Sequence, residues 1–196
     1  MKDCMLHGQC ERHICDNACP DYVEPIYLLE RNGLLNIKYV YSLSTKEVNK
    51  VTAVLQKADN GLFTVVSDDT IRFSNILTYC AVCENWQGNR LHCNVFHLNY
   101  SNHMDNIQRS WNYKEVPESL EYAEIWIQSA KILIVSNLDY IKFGDFQAQT
   151  LLNLIHNRSS NSLTTIVVTP KINTLVGTGA FFDRLKSILS EAVIKT

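Results

Sequence analysis

Three short runs of aliphatic and β-branched residues constrain this chain most: Leu62-Phe63-Thr64-Val65-Val66, Lys131-Ile132-Leu133-Ile134-Val135 and Thr164-Thr165-Ile166-Val167-Val168. Unbroken apolar runs of this length read as strands buried on both faces, the pattern of a parallel sheet covered by helices. The stretches between them carry helical spacing. Glu47 to Lys57 places Val48, Val51, Val54 and Leu55 on one face, and Phe146 to His156 does the same with Leu151, Leu152, Leu154 and Ile155. Ser74 to Trp86, Pro117 to Gln128 and Phe181 to Leu189 are expected as further helices. Leu91 to Leu98 alternates as a strand, and Ala192-Val193-Ile194 is expected as a short terminal one. The polar stretch Asn102 to Lys114 is expected as loop and short helix. Strands separated by helices define the fold class: α/β, with a mostly parallel sheet flanked by helices.

The 196 residues suit one domain with a small appendage. With 46% apolar and 19% charged residues, a core of normal size is expected and disorder is not. A formal charge of −2 argues against a dominant electrostatic grip on nucleic acid, which an excess of Lys and Arg would announce. Met1-Lys2-Asp3-Cys4 opens no apolar signal region, and the run Ile132 to Val135 is far too short to span a bilayer. A cytoplasmic protein without membrane contact is therefore expected. In that compartment seven cysteines read as thiols or metal ligands, not disulfides.

Four of those cysteines, Cys4, Cys10, Cys15 and Cys19, fall within the first 19 residues, and Pro20 closes the stretch. Gaps of five, four and three residues differ from the paired hooks of a zinc ribbon. Yet so short a segment offers no core in which to bury thiols, and a structural zinc would staple it. The four thiolates are the expected ligand set, with His7 or His13 able to replace one. A linker helix beginning at Tyr27-Leu28-Leu29 and ending near Asn32-Gly33 completes residues 1–33 as a zinc knuckle; residues 34–196 form the α/β domain. A second group, Cys80, Cys83, His92 and Cys93, also has ligand chemistry. Cys80 and Cys83 lie on an apolar helix beside Ile76, Leu77 and Tyr79, where cysteine serves as a small core residue, so the group reads first as packing.

A phosphate-binding loop would stand directly after Leu62 to Val66, with glycines, a lysine and a hydroxyl for magnesium. The residues there are Ser67-Asp68-Asp69-Thr70-Ile71-Arg72-Phe73-Ser74, without glycine or lysine. Two carboxylates would repel a polyphosphate. A magnesium-holding acid should end a second buried strand. Here Ile132 to Val135 runs into the neutral pair Ser136-Asn137, and Asp139 follows two residues on. Asp68, Asp69 and Asp139 read as solvated loop acids. No ATP and no catalytic residue are expected.

With these pieces in place, the chain resembles the phage and Gram-positive bacterial helicase loaders related to DnaC and DnaI, which have a P-loop NTPase-like (AAA+) fold. Cys4, Cys10, Cys15, Cys19-Pro20 and Tyr22 look like the zinc-binding start of the phage members. Ile132 to Arg158 looks like the Walker B strand and its following helix, with Ser136 and Asn137 where the family has two acids. Thr164 to Thr169 is similar to the sensor-1 strand, and Phe182-Asp183-Arg184-Leu185-Lys186-Ser187 to the arginine-finger helix. The Walker A segment does not match.

The resemblance implies a protein of a phage or mobile element that binds the replicative helicase hexamer, an active loader, or both. It also implies self-association, with Arg184 reaching a neighbour's nucleotide, and a weak contact with single-stranded DNA. Read with the missing phosphate loop, it points to a loader-like binding module that does not hydrolyse ATP. An inhibitor or decoy of helicase loading is the alternative reading, and a zinc-containing nucleic-acid binder the next. A solvated helix cation is the plain reading of Arg184.

Overall fold

The computed structural model describes residues 43–85, 94–113 and 118–194. The first described helix, α1 (Thr45–Lys57), starts at a capping box in which Ser44 and Glu47 satisfy each other's backbone N–H groups. It leads to β1 (Gly61–Val66), α2 (Thr70–Asn85), β2 (Val95–Asn99), α3 (Tyr100–Tyr113) and α4 (Glu118–Ser129). After these come β3 (Ile132–Ser136), β4 (Lys142–Phe143), α5 (Asp145–Ser160), β5 (Thr164–Thr169), β6 (Val176–Gly177) and α6 (Ala180–Glu191).

Four strands form one parallel sheet in the order β1-β5-β3-β2. Every residue of β3 and of β5 is buried, as the apolar runs require of central parallel strands. Alternate residues feed two cores. Val65, Ile134, Ile166 and Val168 pack under α1 and α2 with Val51, Val54, Ile76 and Leu77. Leu133, Val135 and Val167 face the other way, onto Ala148 and Leu151 of α5 and Leu185 and Leu189 of α6. Burying each such side chain contributes about 1.5–3 kcal/mol before its entropy cost.

The expected terminal strand is reduced to one parallel bridge, Val193 opposite Thr64. Thr64 N–H donates to the Ala192 carbonyl (2.8 Å) and Ile194 N–H to the Thr64 carbonyl (2.9 Å). This places Val193 on the side of β1 away from β5, giving the order Val193–β1–β5–β3–β2 among the described residues. A separate ribbon, β4 with β6, draws the starts of α5 and α6 together. Gly177 makes that possible, because a Cβ there would lie 2.7 Å from Phe143 Cβ and 2.8 Å from Phe182 Cδ2.

The polar stretch expected as loop and short helix is instead one fourteen-residue helix, α3. Tyr100, His103 and Met104 are its buried face, a stripe too sparse in aliphatics to announce itself. The Tyr100 hydroxyl donates to the Gln147 carbonyl at 2.6 Å and fixes α3 to α5. At the opposite end of α5, Arg158 is only 2% exposed. Its Nε donates to Thr165 Oγ1 (3.0 Å), Nη1 to the Ile127 carbonyl (2.6 Å), and Nη2 to the carbonyls of Ala130 (2.8 Å) and Thr164 (2.7 Å). The guanidinium fastens α5 to the last turn of α4 and to the start of β5.

Candidate functional site

In open parallel sheets, ligands are met at the carboxyl ends of the strands. That edge is built here from the turn between β1 and α2, the ends of β3 and β5, and the start of α6. The β1–α2 turn consists of Ser67, Asp68 and Asp69 alone. Ser67 N–H donates to the Thr169 carbonyl at 3.0 Å, which ends β1 beside β5. Asp69 Oδ1 accepts the N–H of Arg72 at 2.9 Å, and the Asp69 carbonyl accepts that of Phe73 at 3.0 Å. Asp69 therefore caps α2, which starts at Thr70 and not at Ser74 as the apolar spacing suggested. The carboxylate stands at the positive end of the helix, the position an incoming anion would seek.

The first turn of α2 is also tied sideways. Arg72 Nε lies 2.6 Å from Glu47 Oε1 and Nη2 3.1 Å from Oε2, a forked pair. The Ser44 hydroxyl donates to Glu47 Oε2 as well, at 2.7 Å. The hydrogen bonds from Arg72 and then Ser44 hold the Glu47 carboxyl at about 2, well below the ordinary carboxylate range.

At the end of β3, Ser136 is wholly buried and its Oγ lies 2.8 Å from His97 Nε2 on β2. Burial pushes His97 down to about 4, so a neutral imidazole faces a neutral hydroxyl. Asn137 follows in the left-handed region, with φ 62° and ψ 37°. Asn137 Oδ1, His97 Nδ1 and Thr169 Oγ1 are buried without a hydrogen-bond partner among the described residues. His97 is the residue that sequence reading missed. The signal was present: a lone imidazole in the apolar run Val95-Phe96-His97-Leu98.

Asp68, Asp69 and Asp139 are all exposed. Among the described residues no group of three or more His, Cys, Asp or Glu side chains is arranged to hold a metal ion. Cys80 and Cys83 are free thiols on α2, the first buried and pushed up to about 11 by that burial. His92 and Cys93 lie outside the described residues, as do Cys4, Cys10, Cys15, Cys19, His7, His13 and the linker helix near Tyr27. Arg184 is exposed on α6, between the buried Phe182 and Leu185. An exposed aromatic pair stands at the end of α3, where Trp111 (61% exposed) meets Phe146 edge-on with ring centroids 4.9 Å apart. No helix among the described residues is long and apolar enough to cross a membrane.

No family model matches the chain, and no curated protein matches it. Solved structures do. A DNA replication initiation factor aligns over 82% of this chain and 50% of its own length, with a TM-score of 0.57 and 13% identity. AMPPCP-bound DnaA from Aquifex aeolicus aligns over the same shares with a TM-score of 0.56 and 15% identity. Domain III of the Thermotoga maritima replication initiation protein DnaA aligns over 85% of this chain and 65% of its own, at 0.51 and 13%. The DnaC helicase loader aligns end to end, over 94% and 95%, at 0.41 and 12%. The chain thus spans half the length of the first two structures it matches. What it shares with these first three structures is a fold, a parallel sheet flanked by helices.

Proposed function

We propose that this chain is a replication-initiation adaptor that binds the replicative helicase, an active helicase loader, or both, and does not hydrolyse ATP. The observation that carries the reading is the β1–α2 turn. An AAA+ sheet would receive triphosphate there, and the turn has three residues, no glycine, no lysine and a carboxylate already on the helix N-terminus. The residues present do not fit a triphosphate. Nor do those at the end of β3 suit magnesium, since Ser136 is committed to His97. The fold shared with replication-initiation proteins supports the setting. The exposed Trp111–Phe146 pair supports action by macromolecular contact.

Calorimetric titration with ATP and magnesium should show no binding, and the purified chain should show no turnover. ATP binding lost in a Ser67 or Asp69 variant would overturn the reading. Affinity capture with a purified helicase hexamer should retain the wild-type chain and lose the Trp111→Ala variant. Zinc held by Cys4, Cys10, Cys15 and Cys19 is part of the proposal. Elemental analysis should find one zinc per chain, lost when Cys15 and Cys19 are changed to Ser.

The exposure of Arg184 favours a second reading, that of a decoy. A subunit with an exposed arginine and no triphosphate site of its own could dock on an active loader and cap its assembly. Suppressed loader ATPase on adding this chain, relieved by Arg184→Ala, would select that reading over stimulation.

A further inference from the structure

A second site lies away from the strand ends, in a cavity of about 200 Å³ between α3, α4 and α5. Its lining includes His103 of α3, Glu124 and Ile127 of α4, and Asn157, Leu154 and Arg158 of α5. Since α4 leads into β3 and α5 into β5, and these strands are parallel neighbours, both helices end at the same edge of the sheet. Two negative dipole ends meet there. That accounts for Arg158, a buried cation bonded to no carboxylate among the described residues: it answers the carbonyls of the α4 end and neighbouring turns.

The acid in the same cavity, Glu124, is half-exposed and open to an incoming cation. Glu124 Oε1 lies 3.4 Å from His103 Nε2, its one ion-pair contact among the described residues. His103 is neutral near pH 7, because burial pushes it down to about 4. His103 is 5% exposed, and its Nδ1 is buried without a partner among the described residues. The cavity therefore offers a carboxylate, amides on the facing wall, and Ile127 and Leu154 as an apolar floor. The complement to that set is a cation that donates several N–H groups from an apolar stem.

We propose that this cavity receives an alkyl guanidinium, its planar fork on Glu124 and its stem along Ile127 and Leu154. A guanidinium suits the site better than an ammonium, because its fixed fork matches a carboxylate and spares donors for Asn157. The group could reach the cavity as an arginine side chain of a partner protein or as a free guanidino metabolite. The inference does not depend on the proposed loss of ATP hydrolysis.

The test is a titration of the full chain with N-acetyl-L-arginine N-methylamide and, separately, with free L-arginine, following the His103 ring signals by NMR. Saturable shifts with either probe are expected, and about tenfold weaker binding in Glu124→Gln, the value of one charge-assisted bond. Glu121→Gln, an exposed acid on the same helix, should bind like wild type. Tighter binding of the blocked probe identifies a protein side chain as the source, and tighter binding of free arginine a metabolite. Should Glu124→Gln fold poorly, Asn157→Leu provides the second variant, again with weaker binding expected. The absence of saturable shifts with both probes would overturn the proposal. So would equal affinity in both variants and the wild type, or equal binding of N-acetyl-norleucine N-methylamide.

Discussion

The two edges of the sheet solve the same electrostatic problem with opposite charges and at different depths. At the carboxyl edge, the positive end of α2 is answered by Asp69, an exposed carboxylate on a three-residue turn. At the amino edge, the negative end of α4 is answered by Arg158, a guanidinium buried beneath two helices. Depth decides the consequence. A solvated cap can be lost for little, since water replaces it. A buried donor set cannot, since the carbonyls it leaves behind have nothing else to accept from.

The largest expected effect therefore falls on Arg158. Arg158→Ala should cost on the order of 4 kcal/mol, much of the about 5–15 kcal/mol that holds a domain of this kind together. Arg158→Lys should recover only a minor part, because an ammonium cannot span Thr165, Ile127 and Ala130 at once. Urea midpoints of the two variants check this. A lysine variant as stable as wild type would mean that charge alone matters at this edge.

The next effect sharpens the contrast at the carboxyl edge, where burial returns at His97. Its folded value of about 4 lies below the ordinary 6.5. Above pH 6.5 neither the folded nor the unfolded chain binds the proton, so nothing is lost. As pH falls from 6.5 toward 4 the unfolded chain takes the proton and the folded chain does not, so stability declines. The decline from His97 is on the order of 3 kcal/mol, and His103 adds to it in the same direction. His97→Gln, which can still bond Ser136 but cannot titrate, should flatten this limb in urea titrations between pH 7 and 4. An unchanged slope would remove His97 from the account.

These two residues also mark where sequence reading stops. The strands β1, β3 and β5 were legible because a continuous apolar run has one good use in a helix-flanked sheet. That the β1–α2 turn holds neither glycine nor lysine was legible because Ser67, Asp68 and Asp69 are adjacent in the chain. Arg158 was not. Its partners lie 6 to 31 residues away, so nothing near it in the sequence announces a buried cation. His97 meets Ser136 across 39 residues, and only the pairing of β2 with β3 brings them together. Helix α3 was read only in part, as loop and short helix, for a different reason: its buried stripe uses Tyr100 and His103 beside Met104, so hydropathy alone hid the period.

A smaller effect belongs to Asp69 itself. Asp69→Ala removes the cap and should cost about 1 kcal/mol, whereas Asp69→Asn keeps an acceptor for the Arg72 N–H and should cost a few tenths. Neither should gain ATP binding, because the glycines and lysine of a phosphate loop are still missing. A binding signal in Asp69→Asn would show that one charge alone had kept the triphosphate out.

The smallest effect is at Glu47, and its sign separates it from His97. The Glu47 carboxyl sits at about 2 when folded against an ordinary 4.5, so its contribution is complete above pH 4.5 and disappears as pH falls toward 2. That window begins near where the His97 decline ends. Glu47→Gln should therefore leave the slope between pH 7 and 4.5 untouched and reduce it only below. The pair with Arg72 is open to solvent on one side, so salt should shrink the difference between wild type and variant, while a buried His97 should be indifferent to salt. If salt altered the upper limb and spared the lower, the assignment of buried and exposed charge along this edge would have to be reversed.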